Sequence, residues 1–125
     1  MTYHVDYILD FYRAPDGECP ARDFVRELPE KPRIKVGAWL KRLRSLGPDL
    51  PRPYADILEG PIRELRVSFG RLSIRLLYFI AERSIIITHG FLKKTRRVDP
   101  GEIERARRYR ELWMLMHGES KAHEA

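Results

Sequence analysis

The stretch IRELRVSFGRLSIRLLYFIAERSIIITHGFL, residues 62–92, decides the fold. It holds three runs rich in aliphatic, β-branched and aromatic residues, about Ile62 to Phe69, Leu72 to Glu82 and Ser84 to Leu92. Tight links at Gly70-Arg71 and Glu82-Arg83 join them, which predicts an antiparallel meander. Side chains alternate between the two faces of a strand, so parity sorts them. In the first run Leu65, Val67 and Phe69 share one face, and Glu64, Arg66 and Ser68 share the other. In the second, Leu72, Ile74, Leu76, Tyr78 and Ile80 form the apolar set, with Ser73 and Arg75 pointing away beside Leu77 and Phe79. The apolar sets are expected to meet helices, leaving Arg66 and Arg75 together on an uncovered sheet face. Ile85-Ile86-Ile87-Thr88 is apolar on both parities, as a central strand would be.

Upstream of the meander, Tyr3 to Tyr12 mixes β-branched and aromatic residues and reads as a strand, and Pro15-Asp16-Gly17 as a turn. A short helix is predicted over about Pro20 to Leu28, with Ala21, Phe24, Val25 and Leu28 on one side. Pro29-Glu30-Lys31-Pro32 interrupts it and opens a second helix, since proline suits a first helical turn. Val36, Trp39, Leu40, Leu43 and Leu46 give that helix an apolar stripe, and Gly47-Pro48 ends it. Pro51, Pro53, Gly60 and Pro61 mark an irregular connection into the sheet. Downstream, Asp99-Pro100-Gly101-Glu102 is a capping signature, and Ile103, Ala106, Tyr109, Trp113 and Met116 line one side of a last helix. The predicted order is β-α-α-β-β-β-α: an α+β fold with a small antiparallel-rich sheet and helices packed on one face. Residues 1–117 are expected to form a single domain and residues 118–125 a flexible tail.

The chain has 125 residues, 43 % of them hydrophobic and 34 % charged, which suits one globular domain. Its net charge of +6 is unevenly spread. Residues 63–97 carry nine basic side chains and two acidic ones, whereas the rest of the chain carries 15 and 16. All the excess therefore lies in the segment that contains the meander. No run approaches the ~18 apolar residues of a membrane span. Met1 to Asp6 has no basic segment followed by an apolar one, so no secretory leader is expected. The one cysteine, Cys19, reads as an inert thiol, and four scattered histidines show no ligand spacing. The expectation is a cytoplasmic protein that uses no metal and no cofactor.

Two arginines on one sheet face, followed by Lys93-Lys94 and Arg96-Arg97 at a strand end, suggest an anion site. Arginine offers a planar fork that fits phosphate, and lysine a point charge. A phosphate polymer would need several such contacts in a row. An exposed tyrosine or phenylalanine nearby could stack on unpaired bases, but parity puts Tyr78 in the core, and Tyr54 and Phe79 are weaker candidates than they look. No glycine-rich phosphate loop or nucleophile elbow is present, and the acidic residues are too dispersed for a catalytic magnesium.

Four motifs occur in order between residues 58 and 106: Leu58 to Arg66 with its Glu64-Leu65-Arg66, the strand Arg75-Leu76-Leu77-Tyr78, His89-Gly90-Phe91-Leu92-Lys93-Lys94-Thr95, and Pro100 with Glu102 to Ala106. Together they resemble the RelE/HigB-type toxins of bacterial type II toxin–antitoxin systems, in particular the phage-derived HigB-like branch. The resemblance implies an mRNA interferase, a metal-independent endoribonuclease that cuts messenger RNA on the ribosome and inhibits translation. The RNA's own 2′-hydroxyl would attack the adjacent phosphate and leave a 2′,3′-cyclic end. By the same resemblance Arg75 grips the scissile phosphate, Lys94 lies near the leaving group with Lys93 beside it, and Arg66 falls where some members carry a lysine. A guanidinium with a pKa above about 12 is a poor base, so Arg66 is expected to clamp phosphate. Arg63, Arg71, Lys93, Arg96 and Arg97 are the further expected RNA contacts, and His89 is a candidate acid or base. The implied partners are messenger RNA, the ribosome and a helix-turn-helix antitoxin. The alternative is a non-catalytic module of the same fold that acts on RNA or on a protein such as gyrase.

Overall fold

The computed structural model describes residues 4–124, with side chains through Gly118. The elements are β1 (Ile8–Phe11), α1 (Pro20–Glu27), α2 (Glu30–Leu46), a 3-10 turn (Gly47–Asp49), β2 (Ala55–Glu59), β3 (Ile62–Phe69), β4 (Leu72–Ala81), β5 (Ser84–Leu92) and α3 (Pro100–Glu124). The sheet has the order β1-β5-β4-β3-β2. The pair β1–β5 is parallel and the other three pairs are antiparallel. Gly70 and Glu82 begin the two-residue meander links with φ of 57° at each, the left-handed backbone such short hairpin loops need.

Two expectations are corrected. β1 is confined to Ile8–Phe11, shorter than the predicted Tyr3 to Tyr12, and residues 1–3 lie outside the described residues. The connection between the second helix and the meander contains a strand, β2, which lies between Pro53 and Gly60-Pro61 and pairs with β3 through Ala55, Asp56, Ile57 and Glu59, with a register shift at Leu58. Prolines beside a short edge strand do not interrupt its ladder, which is why an irregular reading missed it. The last helix continues through Gly118 to Glu124. The His117 ring stacks on Trp113, while the side chains of 119–125, His123 included, lie outside the described residues.

The α+β class stands, but the helices cover both sheet faces. Ala21 and Leu28, from the α1 segment, and Val36 and Leu43 of α2 pack on Leu65, Val67, Ile74, Leu76, Tyr78, Ile85 and Ile87. α3 lies on the opposite face. Its Ala106 meets Ile62 and Leu77, and Tyr109, Leu112, Trp113 and Met114 surround Tyr12, Phe79 and Ile86. The physical reason lies in β4, where Leu77 and Phe79 are apolar on the parity that also carries Arg75. Burying each such side chain contributes about 1.5–3 kcal/mol, so that face cannot be left to water.

A β-bulge then sets what β5 presents. Leu77 pairs with His89 and Tyr78 with Ile87, which leaves Thr88 as the extra residue. Thr88 Oγ1 donates to Leu77 O at 3.2 Å. Parity changes across the bulge, so Ile85 and Ile87 face α1 and α2 whereas Phe91 joins the α3 side. Gly90 accordingly faces α1, where an added Cβ would collide with Phe24 and Leu76. Below the residues that α3 covers, the sheet face turns polar: Arg66 opposite Arg75, then Ser68 opposite Ser73. Among the described residues no helix is long and apolar enough to cross a membrane.

Candidate functional site

Arg66 and Arg75 are direct cross-strand partners in the β3–β4 ladder, so the parity reading holds. Like charges facing each other across a ladder repel. Glu64, 2 % exposed on the same face, answers that repulsion. Arg66 Nε donates to Glu64 Oε1 at 2.7 Å, and Arg75 Nε lies 3.2 Å from Glu64 Oε2 as an ion pair outside hydrogen-bond geometry. Arg66 Nη2 also donates to Asp56 Oδ2 at 3.1 Å, and Arg75 Nη1 donates to Ser73 Oγ at 3.0 Å. Arg66 is thereby fixed through Nε and Nη2, and Arg75 through Nη1 with its Nε in ion contact with Glu64. Burial pulls Arg75 below the ordinary arginine value; the Glu64 charge opposes this and the Arg66 charge adds to it. Asp56 sits below the usual carboxylate range. Its burial acts the other way, but hydrogen bonds from Arg52 and the Ile57 amide and the charges of Arg52 and Arg66 outweigh it.

Arg66 and Arg75 line one recess of about 290 Å³ with Ser68, Ser73, Lys35, Trp39, Pro53 and Tyr54. Tyr54, 42 % exposed, is stacked on Trp39 at 4.5 Å between ring centroids, and the Arg42 guanidinium lies 4.7 Å from the Trp39 ring. Lys35 Nζ donates to the backbone oxygen of Ser68, which draws α2 onto the lip of the recess. Phe79 is fully buried under Trp113 and offers no stacking surface.

Lys93 and Lys94 line an adjoining cavity of about 190 Å³ with Phe91, Leu92, Thr95, Asp99 and Glu102. The two hollows are linked through the ladder. Phe91 is the cross-strand partner of Arg75, and the Lys93 amide donates to Ser73 O at 2.7 Å. Glu102 stands in the first turn of α3, where Asp99 Oδ1 accepts from the Gly101 amide at 2.8 Å. Burial raises the Glu102 carboxyl above its ordinary value; Arg105 opposes this and Asp99 adds to it.

His89 lies beneath Glu102, 1 % exposed, with Nε2 at 3.4 Å from Glu102 Oε1 and Nδ1 at 3.1 Å from Thr88 Oγ1. Burial pushes its pKa down to about 3, with the Arg105 charge acting in the same direction. The ring is therefore neutral near pH 7, and its contact with Glu102 is not an ion pair.

The other expected contacts are dispersed. Arg63 shares the parity of Leu65 and lies beside Tyr78 on the α1/α2 side of the sheet. Arg71, in the β3–β4 link, lines a shallow apolar recess with Pro29, Pro32 and Phe69. Arg96 and Arg97 are exposed in the loop after β5. The sequence reading missed the roles of Glu64, Asp56 and Glu102. Glu64 was detectable, because it is two residues from Arg66 and so shares its face. Asp56 was hidden with β2. Among the described residues no group of three or more His, Cys, Asp or Glu is arranged to hold a metal ion.

This mostly antiparallel five-stranded sheet with its packed helices resembles the RelE toxin fold. Residues 23–111 match the family described as phage derived protein Gp49-like, and the chain belongs to that family. Among solved structures it is similar to a chain of the RelBE2 toxin–antitoxin complex from Mycobacterium tuberculosis. There the TM-score is 0.52 at 19 % identity, covering 71 % of this chain and all of that one. A search of curated proteins gave no match.

Proposed function

We propose that this protein is the toxin of a type II toxin–antitoxin system and a metal-independent endoribonuclease that cleaves messenger RNA on the ribosome. One observation carries the reading: Arg66 and Arg75 stand side by side on the polar stretch of the sheet face, Arg75 largely buried and Arg66 half-buried, held by Glu64 in a recess next to the cavity of Lys93 and Lys94. In the reaction the RNA 2′-oxygen attacks the adjacent phosphorus, the P–O5′ bond breaks, and a 2′,3′-cyclic phosphate and a 5′-hydroxyl remain. Arg75 and Arg66 bind the phosphate and offset the charge that grows in the transition state. Glu102 is the carboxylate suited to take the 2′ proton, because it lines the cavity of Lys93 and Lys94 and burial raises its pKa above the ordinary carboxyl value. Lys94 supplies the proton that the departing O5′ needs. A helix-turn-helix antitoxin would hold the protein inactive, and its site of action would be the cytoplasm.

The test is cleavage of a defined message on purified ribosomes, with mapping of the cut ends. Wild type is expected to cut and to leave cyclic phosphate. Arg75→Ala should abolish the cut, and expression of that variant alone should no longer arrest growth. Glu102→Gln should slow cleavage by roughly 10²–10⁴-fold, the usual contribution of a general base. An intact message with wild type would sink the enzymatic reading. A full rate in Glu102→Gln would remove only the assignment of the base.

A further inference from the structure

The recess that holds Arg66 and Arg75 contains more than a phosphate site needs. Its outer wall is Tyr54, whose ring is backed by Trp39, itself covered by Arg42 on α2. The ladder explains why Tyr54 is held there. β2 begins at Ala55, and Tyr54 O accepts from the Arg66 amide at 2.8 Å, so the tyrosine backbone is bonded to the residue that bears the guanidinium. The Tyr54 amide donates to Pro51 O at 3.0 Å and fixes the approach to the strand. Tyr54 is thus a large aromatic residue 42 % exposed, backed by the Trp39 ring and bonded through its backbone to the strand that carries Arg66.

We propose that this recess is a subsite for one unpaired nucleobase of an RNA strand, stacked on the outer face of Tyr54, with the flanking phosphate on Arg66 and Arg75. The inference rests on the ribonuclease reading and adds where one base of the substrate lies. A volume of about 290 Å³ is at the lower limit of small-ligand pockets, which suits a single nucleoside and not a longer segment. Stacking is tolerant of base identity because every base has a π-face, so the subsite fixes the strand's register on the protein more than its sequence. Lys35, on the lip, adds a positive charge where the backbone would leave the recess.

The experiment measures binding of a short single-stranded oligonucleotide with 2′-O-methyl riboses, which block the attacking hydroxyl, and of the same strand made abasic at each position in turn. With wild type, one abasic position should weaken binding by about 5-fold to about 150-fold, the span that loss of a stacked base covers. Tyr54→Leu keeps Trp39 covered but removes the π-face. It should bind the intact strand more weakly by a similar factor and become indifferent to the abasic change at that position. Tyr54→Phe should behave as wild type. If Tyr54→Leu binds as tightly as wild type, or stays equally sensitive to the abasic scan, the subsite is wrong while the ribonuclease reading stands. If wild type neither binds the strand nor cuts ribosome-bound message, both readings fall. A Tyr54→Leu chain that does not fold leaves Tyr54→Phe and the wild-type scan to decide, and a scan without one dominant position overturns the proposal.

Discussion

At the scale of single residues, the site depends on which groups are charged, and burial decides that as much as sequence does. Glu64 and His89 are both almost wholly enclosed, yet they meet different surroundings. Glu64 has two guanidinium groups against it and serves as their shared counter-ion. His89 has a hydroxyl and a carboxyl within reach but also the Arg105 charge, and its imidazole is held neutral with a pKa of about 3. A histidine whose folded pKa lies below its unfolded value of about 6.5 binds its proton more readily in the unfolded chain. Its contribution to stability is therefore complete above pH 6.5 and declines as pH falls from there toward 3. Between pH 7 and pH 5 that decline amounts to about 2 kcal/mol. Glu102, with a raised pKa, works with the opposite sign, so the wild-type curve alone would not isolate His89. Urea denaturation of wild type and His89→Gln at both pH values does. The variant should lose about 2 kcal/mol less on acidification, and equal losses would mean that His89 titrates normally.

At the scale of elements, α3 and β5 carry most of what was illegible in the sequence. The alternation of β3 and β4 was plain from Leu65, Val67 and Phe69 against Glu64, Arg66 and Ser68, and it put the two arginines together correctly. The same alternation also set Leu77 and Phe79 beside Arg75, a warning that the face needed cover; only the sheet's order shows that α3 supplies it. The bulge at Thr88 was beyond reach of any periodicity, since Ile85, Ile86 and Ile87 are equally apolar on both parities. Gly90 records its consequence. One residue past the bulge pair, it faces α1 and leaves room for Phe24 against Leu76. Gly90→Ala should therefore destabilise the chain by about 1–3 kcal/mol, as overpacking in a closed core does. Adding Phe24→Leu should recover part of that loss. A Gly90→Ala chain as stable as wild type in urea would mean that α1 does not press on β5 at this point.

At the scale of the whole molecule, the basic segment 63–97 is contiguous in sequence but divided in space. Arg83 is held at the far end of β5, donating to Val5 O at 2.6 Å with its guanidinium 4.4 Å from the Tyr7 ring. Arg63 lies on the α1/α2 side beside Tyr78. Arg66, Arg75, Lys93 and Lys94 gather at the other end of the β4–β5 pair, and Arg96 and Arg97 are exposed in the loop that follows. Net charge alone thus does not locate the basic residues, which the fold divides between the two ends and faces of the sheet. Binding of a single-stranded RNA should become weaker with salt, with a slope of about −0.7 in log K against log salt for each phosphate neutralised. Lys94→Ala should reduce the size of that slope by about 0.7, whereas Arg63→Ala and Arg83→Ala should leave it unchanged. Titrations of the three variants across a range of salt concentrations decide the matter. Equal reductions for Lys94→Ala and Arg63→Ala would mean that the RNA track wraps around the sheet edge onto the α1/α2 face, and a flat profile for Lys94→Ala would remove that lysine from the phosphate path.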